Sequence, residues 1–182
     1  MSAKNERGIK SVKVLVRAAM LASLSVVIGI FCKSFLNLGN GLFRITLENF
    51  PIIISGIAFG PIVGACVGAV SDMISFMLSV QRLAISPIVT LGAAAVGAVS
   101  GLVSHYIIKR EGTLRVVISV AAAHLIGSVI IKSFGLFFYY EWLVLWRIPT
   151  YAIISTIESI LICYLNKRAV FAEFFKLERK KQ

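Results

Sequence analysis

The chain is short of charge. Only 15% of its 182 residues are Asp, Glu, Lys or Arg, and just eight are acidic, whereas a soluble domain carries about 25% charged residues. With 58% hydrophobic residues and a mean hydropathy of +0.91, a water-soluble globule is excluded. Cysteine is scarce as well: Cys32, Cys66 and Cys163 lie in separate segments without C-x-x-C spacing, so neither a disulfide framework nor a zinc site is supported. The two histidines, His105 and His124, form no H-E-x-x-H pattern, and neither G-x-S-x-G nor G-x-x-x-x-G-K-[ST] occurs. No enzyme activity, resident metal or cofactor is therefore expected. No A-x-A-like cleavage site follows the basic N-terminus and its apolar run, so that run is expected to stay as a first membrane span.

What is present is a series of apolar windows, at about 14–35, 45–59, 62–80, 83–108, 116–140 and 148–166. Six spans of about 20 residues use roughly 120 positions. That leaves room for two basic ends and short connections, and none for a second domain. The expected organisation is a single six-helix membrane domain over 1–168 and a basic tail over 169–182, whose mixed apolar and charged residues suit an interfacial helix. Between Arg44 and Arg82 only Glu48 and Asp72 are charged. As one helix that stretch would be roughly 55 Å long, nearly twice a hydrocarbon core of about 30 Å, so it must turn back. Gly60-Pro61 is the breaker in its middle, because Gly takes positive φ and Pro begins a helix more readily than it continues one.

The net charge of +11 and pI near 10.0 do not point to nucleic acid, since the basic residues flank apolar runs and form no aromatic-interleaved groove. With six spans and both termini cytoplasmic, one side holds Lys4, Arg7, Lys10, Lys13, Arg17, Lys109, Arg110, Arg115, Lys167, Arg168, Lys176, Arg179, Lys180 and Lys181. The other side holds only Lys33, Arg44, Arg82, Lys132 and Arg147. That asymmetry is what the positive-inside rule requires. The expected fold is thus an all-α integral membrane protein, a compact bundle of six transmembrane helices with N and C termini inside.

Ionisable groups within a bilayer are costly and face a cavity or a partner. Asp72 falls midway along the third span, Glu158 midway along the sixth and Lys132 in the outer third of the fifth. Arg147, Tyr151, Ser155 and Glu158 share one helical face by their spacings of four, four and three; so do Asp72, Ser75, Phe76 and Ser79 on span three, and His124, Ser128 and Lys132 on span five. Three polar stripes opening outward describe a pocket; the competing reading is a buried structural link from Asp72 or Glu158 to Lys132. Aromatic residues crowd the last connection, from Phe134 to Trp142, Trp146 and Tyr151. They form an interfacial belt, or supply a ring that stacks on a flat ligand. Gly56, Gly60, Gly64 and Gly68, with Gly92, Gly97 and Gly101, suit close helix packing. Ala18, Ala22, Ser25 and Gly29 form a small-residue stripe on span one, which buries well against a helix of this chain or of another protein.

These residues resemble a known family, the substrate-binding S components of energy-coupling factor (ECF) vitamin transporters. The resemblance covers most of the chain: A-x-x-x-A in span one (Ala18, Ala22), then RITLENFPIIISGIAFGPIVGACVGAVSDMISF over spans two and three. The stretch IKSFGLFFYYEWLVLWRIPTYAIISTIES, with Arg147-Ile148-Pro149 and Glu158, is most similar to the folate-specific, FolT-like members. The resemblance implies a binding subunit of the bacterial plasma membrane that captures folate outside and releases it inward. It would dock on a transmembrane T component, with ATP hydrolysis in two separate ATP-binding subunits. It also implies docking through Ala18, Ala22 and Ser25. A pterin presents an adjacent ring N–H and amino group, and a glutamate tail is dianionic. Glu158 or Asp72 is then expected at the pterin edge, Phe76 or Trp146 on its face near Tyr151, and Lys132, Arg147 or Arg44 at the tail. Alternatives are an S component for another vitamin, such as riboflavin or pantothenate, or a free-standing proton-coupled transporter with Asp72 and Glu158 as relays.

Overall fold

The computed structural model describes residues 3–35, 37–38, 43–44, 47–78, 87–108, 112–135 and 147–167. Among the described residues there are six helices: α1 (Ala3–Phe35), α2 (Asn49–Phe59), α3 (Pro61–Leu78), α4 (Pro87–Leu102), α5 (Thr113–Ala123) and α6 (Arg147–Lys167). A π-helical turn, Val103–Ile107, prolongs α4, and a longer π segment, His124–Ile131, prolongs α5. Two short strands, β1 (Asn37–Leu38) and β2 (Phe43–Arg44), pair antiparallel between α1 and α2, with Asn37 opposite Arg44. The all-α membrane architecture expected from the apolar windows is the one found.

Among the described residues five segments are long and apolar enough to cross a bilayer: Val12–Cys32, Pro61–Leu78, Pro87–Ile107, Thr113–Gly135 and Ile148–Leu165. The protein is therefore a multi-pass membrane protein. The second helix differs from its expected 45–59 window. At 11 residues it rises about 16 Å, roughly half a hydrocarbon core. Nearly every residue from Asn49 to Phe59 is buried, as befits a helix apolar on all sides. It contacts each of the other five helices. Its Ile52, Ile53 and Ile57 share one core cluster with Leu21 of α1, Val67 of α3, Val96 of α4, Val120 of α5 and Ile162 of α6. The outward faces are apolar too: Val70, Met73 and Met77 on α3 and Ile153, Ile157 and Ile160 on α6 stand exposed, where lipid is the solvent.

The reversal between α2 and α3 falls at Gly60-Pro61. Gly60 has φ +94, its N–H donates to the Gly56 carbonyl at 3.0 Å, and Pro61 opens α3. Glycine then sets how closely α3 and α4 approach. A Cβ on Gly97 would strike the Gly64 carbonyl oxygen, and one on Gly68 would strike that of Ala93. Contact between backbones at this range lets dispersion forces and weak polar contacts hold the pair without a hydrophobic drive.

The small-residue stripe of α1 packs against helices of the same chain. Ala18 and Ala22 are 8% and 9% exposed and belong to the core cluster. Ser25 Oγ donates to the Glu48 carbonyl at 2.7 Å, and Ser71 Oγ of α3 reaches the Ala22 carbonyl at 3.4 Å. Small side chains here admit α2 and α3 to the α1 backbone. Ala19 and Ser23, beside this stripe, are exposed, and the Ser23 hydroxyl is satisfied by the Met20 carbonyl at 2.9 Å.

Candidate functional site

The polar side chains converge where α2 begins and where α5 passes into its π segment. Glu48 and Asn49 stand at the start of α2, where helix N–H groups and the macrodipole favour negative charge. Opposite them, Ser128 and Lys132 come from one face of the α5 extension. Lys132, 3% exposed, donates from Nζ to Asn49 Oδ1 at 3.3 Å and lies 4.0 Å from Glu48 Oε1. Asn49 Nδ2 donates in turn to Ser128 Oγ at 3.4 Å. Gly92 of α4 makes room for the lysine stem, since a Cβ there would collide with Lys132 Cγ. On its other side, Glu48 Oε2 borders Gly29 of α1, as does Ser75 Oγ of α3. Elements α1 to α5 therefore all reach this layer.

Deeper in the bundle the π segment begins at His124, and a π turn inserts an extra residue that redirects the side chains following it. His124 Nε2 is 2.7 Å from Glu158 Oε2 of α6, and the imidazole ring lies 5.8 Å, centroid to centroid, from that of Tyr151. Glu158 is fully buried. His124, Ser128 and Lys132 follow one another at intervals of four along one segment, which joins the two layers. The unit is not closed, because Glu158 Oε1 and His124 Nδ1 are buried without a hydrogen-bond partner. Buried polar atoms ordinarily have one, so these two orphans distinguish this part of the bundle.

The expected residues fall into three groups. Lys132, Glu158 and Tyr151 are brought together. Asp72 is half-buried and held apart, its Oδ2 accepting from Thr90 Oγ1 of α4 at 2.7 Å; Phe76 follows it one turn on and is also half-buried. Arg44 lies in β2 and Arg147 opens α6, while Trp146 and the tail over 169–182 lie outside the described residues. Glu48 and Asn49 were missed as site residues. Both stand at the start of α2, whose placement against the α5 extension brings them to Lys132 and Ser128. The signal that did exist was the stripe His124, Ser128, Lys132, which the structure uses in full.

Comparisons with known proteins follow this geometry. A family model described as the ECF transporter substrate-specific component matches residues 13–172. Among solved structures, the fold is similar to one described as the crystal structure of FolT bound with folic acid. That likeness has a TM-score of 0.66 and 24% identity, and covers 87% of this chain and 95% of that one. It is also similar to an S component of a bacterial ECF transporter, with a TM-score of 0.65 and 20% identity, covering 91% of this chain and 99% of that one. A search of curated proteins returned no match.

Proposed function

The chain belongs to the ECF transporter substrate-specific components, binding subunits rather than enzymes, and from that premise we propose that it captures folate at the outer face of the cell membrane. Delivery inward follows docking on a transmembrane T component powered by two ATP-binding subunits. The observation that carries the reading is the open polar unit at mid-depth: Glu158 Oε1 and His124 Nδ1, both buried and unpartnered, beneath Lys132. The folic-acid-bound relative of the same fold supports the ligand class.

The chemistry suits a pterin. Glu158 Oε1 accepts one ring-edge hydrogen, and Oε2, which has a second lone pair beyond its bond to His124, accepts the other. Phe76 or Trp146 covers the ring, with Tyr151 at its border. Lys132 offsets carboxylate charge at the site, and Arg44 and Arg147, near the outer ends of their elements, receive the dianionic tail. Asp72 contributes less, because Thr90 already occupies one of its oxygens. Both termini lie inside in this reading, as the basic residues require. Docking uses α1 around Ala18, Ala22 and Ser25, whose neighbours Ala19 and Ser23 are exposed.

Folate titration of the purified chain in detergent tests the scheme. Glu158→Gln and Arg147→Ala each weaken binding by about tenfold or more, the effect of removing a charge-assisted hydrogen bond, and Asp72→Ala weakens it less. Unchanged affinity in both of the first two, or a copurifying molecule that is not a pterin, overturns the folate reading.

A further inference from the structure

Asn49 is a neutral amide set among charges. It opens α2, is 0% exposed, and uses both ends of its side chain. Oδ1 accepts from Lys132 Nζ at 3.3 Å, and Nδ2 donates to Ser128 Oγ at 3.4 Å. Chemistry fixes the direction of this chain. An ammonium only donates, so the amide oxygen must face Lys132, the amide nitrogen must face Ser128, and the serine hydroxyl must accept there. Ser128 and Lys132 stand four residues apart along the α5 extension, so a single side chain of α2 bridges two successive polar positions of a segment some eighty residues away.

The bridge has a rigid base. α2 is buried along nearly its whole length. On either side of Asn49 the backbone is tied: Phe50 N–H donates to the Leu47 carbonyl at 3.2 Å, and the Ser25 hydroxyl of α1 donates to the Glu48 carbonyl at 2.7 Å. The lysine stem is confined in turn against Gly92. Glu48 Oε1, 4.0 Å from Nζ, is within ion-pair range but beyond hydrogen-bond length. Of these two side chains, Asn49 therefore fixes where the ammonium sits, and Glu48 supplies charge.

An amide oxygen can hold an ammonium without carrying a charge that cancels it, which a second carboxylate at that position would do. We propose that Asn49 is a positioning residue for ligand binding: it holds Lys132 Nζ in place and leaves the ammonium's charge to act on the bound molecule. The inference rests on the folate reading for the identity of that molecule, and Asn49 acts on it only through Lys132.

Folate titration and ligand-free thermal melting of the full-length chain in detergent test the assignment together. Asn49→Asp keeps an acceptor for Lys132 and places a negative charge at a helix start, where it is favoured. It melts at or above the wild-type temperature while folate affinity falls about tenfold. A residue that only supported the fold would not separate the two readouts. Asn49→Ala weakens folate binding about tenfold in the presence of Lys132 and leaves affinity unchanged in the Lys132→Met background, because its effect passes through the ammonium. This cycle carries the test should Asn49→Asp fail to fold. Asn49→Asp with wild-type affinity, or Asn49→Ala weakening binding as much without the ammonium as with it, overturns the positioning role and leaves the folate reading standing. A wild-type chain that binds no folate overturns the folate reading instead. The Asn49–Lys132 link is then judged by melting alone, where Asn49→Ala and Lys132→Met are expected to be non-additive and strict additivity overturns it.

Discussion

Glu158 has one oxygen bonded to His124 and the other unsatisfied. In the proposed site the bonded oxygen fixes the carboxylate's orientation and the other accepts from the ligand. A double-mutant cycle of Glu158→Gln and His124→Ala, read by thermal melting in detergent, is expected to show a coupling of about 0.5–3 kcal/mol; strict additivity would mean that the two do not act as a pair. Lys132 is a second case. Its stem crosses α4 where Gly92 has no side chain, so Gly92→Leu should displace the ammonium from Asn49 and Glu48 and weaken folate binding, with Lys132→Met giving a similar loss. The stripe His124, Ser128, Lys132 was legible from spacing alone. Glu48 and Asn49 were not, because no periodicity tells which way a polar pair faces at the first residues of a helix.

At the scale of the helix, two glycines do different work. Gly60 adopts φ +94 and ψ 175, a region closed to other residues at a cost of about 1–3 kcal/mol, and a Cβ there would touch nothing. Gly97 has ordinary helical backbone, but its Cβ would meet the Gly64 carbonyl. Gly60→Ala should therefore lower stability through the backbone alone. Gly97→Leu should do so by separating α3 from α4, costing about 1–3 kcal/mol or more by overpacking. Thermal melting measures both, and a Gly97→Leu variant as stable as the wild type would deny the close approach. The breaker at Gly60-Pro61 could be read from sequence because glycine and proline act locally. The inward turn of Ala18, Ala22 and Ser25 could not, since small residues pack equally well against a neighbouring helix of the same chain or of a partner. The short reach of α2 was equally hidden: apolar residues suit a helix crossing lipid and a helix enclosed by protein, and hydropathy does not separate them.

For the whole molecule, the distribution of Lys and Arg orients the bundle. Cysteines introduced at Lys10 and Lys109 should react with a membrane-impermeant thiol reagent only from the cytoplasmic side, and one at Lys33 only from outside. Labelling of Lys10→Cys and Lys109→Cys on opposite sides would remove the six-helix topology with both ends inside. Uptake of folate should vanish without the ATP-binding subunits, because nothing in this chain hydrolyses a nucleotide; uptake that persists would favour the proton-coupled alternative. Ala19→Trp should impair assembly with the T component while leaving folate binding of the isolated chain intact, since that side chain faces away from the core.

Composition and apolar run lengths were enough to establish a helical bundle in a bilayer and its turn at Gly60-Pro61, because each follows from the energy of placing one segment in lipid or water or from local backbone preference. Tertiary structure alone decided which small residues face inward, that α2 is enclosed by the others, and that Lys132 and Glu158 share one polar unit while Asp72 pairs with Thr90. Those choices depend on contacts between helices distant in sequence, and lipid, being as apolar as the core, imposes no pattern that would announce them in advance.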